Sequence, residues 1–103
     1  MHGIRIEESF VETVKDYKIW INDWYSIKVY PIPNENGIML LRVTINDECN
    51  PRRIFDEILT FKGTETKGVE ISLSYVGTCL NIDASITVKY DSEIKGFTII
   101  VEY

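Results

Sequence analysis

The sequence predicts an α+β domain in which two helices pack on one face of a mostly antiparallel sheet, in the order (β)αββαβββ, ending in a three-stranded meander. Three observations predict it. Phe10, Val14, Tyr17, Ile21 and Trp24 recur at steps of four, three, four and three, the spacing of one helix face. Asn50-Pro51 is a helix-start signal placed ahead of the apolar residues Ile54, Phe55, Ile58, Leu59 and Phe61. From Val69 onward, apolar and polar residues alternate almost without a break.

Taken in order, Gly3 to Glu7 reads as a short edge strand. The first helix is expected from about Ser9 to Tyr25, with Ser9 as its cap and Glu7, Glu8 and Glu12 near the positive end of its dipole. Ser26–Tyr30 and Gly37–Asn46 read as two strands joined across Pro31-Ile32-Pro33-Asn34-Glu35-Asn36-Gly37, with Met39, Leu41, Val43 and Ile45 on the buried face of the second. The second helix is expected from Asn50 to Gly63. After the polar loop Lys62–Gly68 come three strands. Val69, Ile71, Leu73 and Tyr75 face one way, as do Leu80, Ile82, Ala84, Ile86, Val88 and Tyr90, and finally Phe97, Ile99, Val101 and Tyr103. A two-residue turn at Gly77-Thr78 would pair Tyr75 with Leu80, Leu73 with Ile82 and Ile71 with Ala84. The opposite, polar face carries Ser72, Ser74, Asn81, Asp83, Ser85, Thr87 and Thr98, with Val76 and Ile100 as its large apolar members.

Residues 1–103 read as a single domain, since no linker, repeat or low-complexity tract divides them. At 45% hydrophobic and 26% charged residues, the composition is that of a folded domain and not of a disordered chain. No apolar run reaches the eighteen or so residues of a membrane-spanning helix. MHGIRIEES lacks a basic start followed by an apolar stretch, which predicts a cytoplasmic chain without a secretory signal and with Cys49 and Cys79 as free thiols. Two cysteines and one histidine fall short of a four-ligand zinc site, so no metal or other cofactor is expected.

Catalysis finds little support. His2 is the single imidazole and has no fixed neighbour to orient it as a base. Glu70 and Glu102 are expected to flank Ser85 on the polar sheet face about 10 Å apart, but hydrated there, without the raised pKa of a general acid. Eleven basic against sixteen acidic side chains leave a net charge of -5, the wrong sign for direct nucleic-acid binding. That balance predicts a non-enzymatic, acidic protein that inhibits a partner by occluding a basic, nucleic-acid-handling site, as immunity proteins, antitoxins or phage-encoded anti-defence inhibitors do. The expected contact is an acidic ridge on the first helix, Glu8, Glu12, Asp16 and Asp23, flanked by Ile19, Trp20 and Tyr25. A homodimer is compatible with this reading. A second reading is an anionic-ligand site at Arg52 and Arg53 on the first turn of the second helix. A third is a structural subunit of a larger assembly.

Overall fold

Tyr17, Ile19 and Ile21 alternate with Lys18 and Trp20, and a period of two of this kind governs nearly all of the ordered chain. A computed structural model describes residues 3–11, 16–32, 38–62 and 68–103. Among them are eight strands and no helix: β1 (Arg5–Val11), β2 (Tyr17–Trp20), β3 (Tyr25–Ile32), β4 (Ile38–Asp47), β5 (Arg52–Lys62), β6 (Val69–Tyr75), β7 (Ile82–Asp91) and β8 (Gly96–Glu102). They form two four-stranded sheets, ordered β1-β8-β7-β6 and β2-β3-β4-β5, with antiparallel pairing throughout. The α+β expectation is therefore wrong, and the protein is an all-β, two-sheet sandwich.

Both expected helices are strands for identifiable reasons. Ten of the seventeen residues from Ser9 to Tyr25 are β-branched or aromatic, side chains that lose rotamer freedom in a helix and pack well on a pleated surface. Phe10 lies on β1, Tyr17 on β2 and Ile21 in the turn before β3, so the helical spacing is a projection of separate elements. Val14 and Glu12 fall outside the described residues. In β5 the cause is a bulge. Ile45 pairs with Phe55 but Asn46 pairs with Arg53, which leaves Ile54 as the extra residue. The bulge puts two apolar residues side by side, and Ile54, Phe55, Ile58 and Leu59 then imitate a helical stripe.

The C-terminal meander forms with one change. β6 and β7 are joined by residues 76–81, not by two residues, and Tyr75 pairs with Ile82, Leu73 with Ala84 and Ile71 with Ile86. The shift is an even number of positions, so each paired side chain keeps its expected face, but Leu80, expected on the buried face opposite Tyr75, falls in the loop and is exposed.

One core fills the space between the sheets. Ile27, Val29, Leu41, Val43 and Ile45 of one sheet meet Ile86, Val88, Phe97, Ile99 and Val101 of the other, all buried. The ring contacts run diagonally. Phe61 on β5 packs edge-on to Phe97 on β8 at 5.4 Å, and Tyr25 on β3 packs edge-on to Tyr75 on β6 at 6.1 Å. Twisted sheets stacked at an angle produce this pattern.

The two ends of the sandwich differ. At one end the chain crosses between sheets twice, from β1 to β2 and from β5 to β6. At the other lie the β2–β3, β4–β5 and β6–β7 turns and both chain ends. There Cys49, in the β4–β5 turn, is joined to Cys79, in the β6–β7 loop, with Cα atoms 6.1 Å apart. The expectation of two free thiols is overturned. Sequence separation carried no sign that both turns lie at the same end of facing sheets. The bond bridges a sequence separation of 30 residues, and a loop of that size restricts the unfolded chain by about 3–4 kcal/mol. The Cys49→Ala/Cys79→Ala variant is expected to lose stability of about that size in urea unfolding, and the native protein to lose the same amount under reductant.

Candidate partner-binding end

The residues expected to form an acidic helix ridge are dispersed. Glu8 is half-buried on β1, where it accepts a hydrogen bond from the Tyr17 hydroxyl. Asp16 precedes β2 and Asp23 follows it, both exposed, so β2 separates them. Ile19 and Tyr25, expected at the surface, are core residues. Trp20 is exposed, as expected, on the outer face of β2, where the Lys18 ammonium lies 4.2 Å from its ring centroid. Among the described residues, Glu8, Asp16 and Asp23 share no helix face.

The helix start expected to hold an anion is absent, because Arg52 and Arg53 open a strand. Arg53 donates to Asp56 at 3.1 Å, and Arg42 engages the same carboxylate through two hydrogen bonds of 2.9 and 2.7 Å. The Arg42 contact, aided by Arg53, holds the Asp56 carboxyl below its usual range. On the opposite sheet Ser85 donates to Glu70 at 3.1 Å and pairs in register with Glu102. His2 lies outside the described residues. Among the described residues no group of three or more His, Cys, Asp or Glu side chains is placed to hold a metal ion.

The structure instead assembles a site at the disulfide end. Ile4 (52% exposed), Trp24 (40%), Val76 (81%) and Leu80 (45%) all project from turns or chain ends there. Ile4, Trp24 and Leu80 are tied to neighbouring segments through hydrogen bonds to their backbone, and Val76 lies in the loop that carries Cys79. Ile4 and Tyr103 exchange backbone hydrogen bonds of 2.7 and 2.9 Å, and the Tyr103 hydroxyl donates to the Ile21 carbonyl. The Asn22 side chain accepts from the Trp24 and Tyr25 amides at 2.8 and 3.0 Å, which shapes the β2–β3 turn. Glu48 N–H donates to the Trp24 carbonyl at 2.7 Å, tying that turn to the β4–β5 turn.

Tyr25 carries the brace across to the other sheet. Its ring is fully buried, and its hydroxyl donates to the Leu80 carbonyl in the β6–β7 loop. Gly77 is needed beside it, because a Cβ there would overlap the Tyr25 hydroxyl and crowd the Leu80 carbonyl. Asp47, also buried, directs its Oδ1 to the amides of Cys49 and Asn50 at 3.0 and 3.3 Å and so sets the geometry of the β4–β5 turn. Its Oδ2 has no partner among the described residues. Burial, with the Asp47 and Tyr75 charges adding, pushes the Tyr25 phenol above its ordinary value. Tyr17 moves the same way, chiefly through its hydrogen bond to Glu8.

Helical spacing assigns Trp24 to a buried stripe, and the structure leaves it at the surface. The one sign of this site in the sequence is Val76, which interrupts a row of serines and threonines. Ile100, the other apolar member of that row, is covered.

The fold and site define a disulfide-braced antiparallel β-sandwich with an apolar tip. No family model, curated protein or solved structure matches the chain, so its function is argued from this geometry.

The phenol and carboxyl shifts make part of the stability depend on pH at the two extremes. Tyr25 and Tyr17 bind their protons more tightly when folded, so their contribution is whole below about pH 10 and is lost as pH rises through their higher folded values. Asp56 acts at the other limit: its contribution is present above its unfolded value of 3.8 and fades as pH falls through the lower folded one. Tyr25→Phe is expected to cost about 1 kcal/mol at neutral pH through loss of the hydrogen bond to Leu80. It should also flatten the alkaline limb of a stability profile measured by urea unfolding from pH 7 to 11.

Proposed function

We propose that the chain is a non-enzymatic protein-binding module that meets its partner with the disulfide end of the sandwich. One observation carries the reading: Trp24, Val76, Leu80 and Ile4 are exposed on segments held by a disulfide and by cross-segment hydrogen bonds. An exposed apolar group on a mobile loop costs entropy when it is ordered by a partner, and a braced one has lost most of that freedom already. Aromatic and aliphatic anchors beside polar groups are the usual anatomy of a protein interface, and Asn22, Asp23, Asn50, Thr78 and Asn81 lie on the same three turns.

The net charge of -5 favours a basic partner, which keeps part of the inhibitor reading. Its acidic groups act here as a diffuse field that speeds encounter and not as a phosphate-spaced ridge.

The test is a comparison of variants in affinity capture from the native host, followed by binding measurements on the purified retained protein. Val76→Asp with Leu80→Asp is expected to weaken binding by roughly a hundredfold, as loss of central anchors does. Thr87→Asp, on the polar face of the first sheet, should change it little. The association rate should fall as salt is raised, with a smaller effect on dissociation. Equal retention by both variants would refute the assignment.

A further inference from the structure

Among the described residues the sandwich has four strand edges without a partner, and three are guarded against pairing with another chain. β1 presents Arg5, Glu7 and Glu8, and β2 is four residues long. β5 carries Arg52, Arg53, Asp56, Glu57 and Lys62 together with its bulge. Charges, shortness and bulges are the devices by which native sheets blunt their edges.

β6 has none of them. Val69-Glu70-Ile71-Ser72-Leu73-Ser74-Tyr75 is a regular seven-residue strand paired with β7 along its whole length, without a bulge or proline. Among the described residues no strand pairs with its other side. Its one charged residue, Glu70, leans inward over the sheet, since its carboxylate accepts from Ser85 on β7 at 3.1 Å. The outer edge therefore offers a row of backbone donors and acceptors with no charge held over it.

The strand is also complementary to itself. In an antiparallel pair centred on Ser72, Val69 lies opposite Tyr75, Glu70 opposite Ser74, Ile71 opposite Leu73, and Ser72 opposite its own copy. The apolar residues stay on the core face and the polar ones on the solvent face, as register requires. Each Glu70 meets a serine, the partner type it already has within the chain, and the two Glu70 carboxylates stand about 13 Å apart along the strands. Sliding the register by two positions re-centres the pair on Ile71 or Leu73 and shortens the paired stretch. The first brings the two Glu70 residues to about 7 Å apart along the strands, and the second sets Glu70 against Val76. Sliding it by one places Ile71 against a serine.

We propose that two copies of this chain associate through β6, joining their β1-β8-β7-β6 sheets into one antiparallel sheet of eight strands about a two-fold axis at Ser72. The interface is isologous, so it closes at two copies.

Sedimentation velocity over a micromolar to millimolar concentration series, with the native disulfide intact, tests the association. The native chain is expected to pass from monomer to dimer. Ser72→Lys puts two ammonium groups face to face at the axis and should weaken dimerisation by roughly tenfold or more while the thermal melt of the monomer is preserved, because Ser72 is exposed. The Ser72→Cys variant should form a disulfide between the two copies at the axis on mild oxidation, mapped by mass spectrometry of the digested dimer. The Ser74→Cys variant should not link to its own copy, because those positions lie about 13 Å apart in the proposed register. A native chain that stays monomeric at every concentration overturns the proposal. So does a dimer indifferent to Ser72→Lys, which would place the contact elsewhere. Self-linking of the Ser74→Cys variant as readily as of the Ser72→Cys variant overturns it too.

Discussion

Two twisted sheets stacked face to face must be held in one relative position, and this chain does so by different means at its two ends. At the crossover end the backbone passes from sheet to sheet, and Phe97 gathers Phe10, Phe61 and Tyr90 around it. At the other end no backbone crosses between β-strands of the two sheets. The Cys49–Cys79 bond and the Tyr25 and Tyr103 hydroxyls take its place. Both tyrosines span from a ring packed against the core to a backbone carbonyl on another segment, which satisfies the phenol while fixing the distance between segments. The rest of the disulfide end depends on this bracing, because turns that would otherwise move independently become one surface.

The bracing has an energetic cost that marks where it matters. Asp47 is buried with one carboxylate oxygen unpartnered among the described residues, an arrangement that native cores ordinarily avoid. Its other oxygen organises the turn that carries Cys49. The side chain that shapes the disulfide-bearing turn is thus itself buried. Thr44, buried on the outer side of β4 with its hydroxyl unpartnered among the described residues, has no comparable turn to support, and nothing in the structure explains it.

Charge is divided between the sheets in a way the net value conceals. The outer face of the β2-β3-β4-β5 sheet carries Lys18, Lys28, Arg42, Arg53 and Lys62 against Asp56, with Glu48 on the adjoining turn, and ion pairs of 3.3, 2.7 and 3.1 Å engage Lys18, Arg42 and Arg53. The outer face of the other sheet carries Glu7, Glu70, Asp83, Asp91 and Glu102 against Arg5 and Lys89, among serines and threonines. The acidic character that the composition announced thus belongs mainly to one face. A steering field from that face is compatible with an apolar contact at the tip, because long-range attraction and short-range packing act at different separations.

Most strands in the second half were legible in the sequence. Alternation marked β6, β7 and β8 and the core side of each, and it marked β4 through Met39, Leu41, Val43 and Ile45, because a half-buried strand writes its period of two directly into local composition. The α elements and the ridge built on them were not so determined. Phe10, Tyr17, Ile21 and Trp24 satisfy a helical spacing, yet they become a strand, a second strand and a turn because a facing apolar sheet exists to cover Tyr17 and Ile19 as extended chain. Ile54 and Phe55 look helical until the β4 register makes one of them a bulge. The disulfide and the tyrosine braces join residues 30, 55 and 82 positions apart, and the apolar tip draws on the same segments. Local pattern states which side chains need burial; which distant segment buries them, and which are left at the surface, is decided by packing over the whole fold.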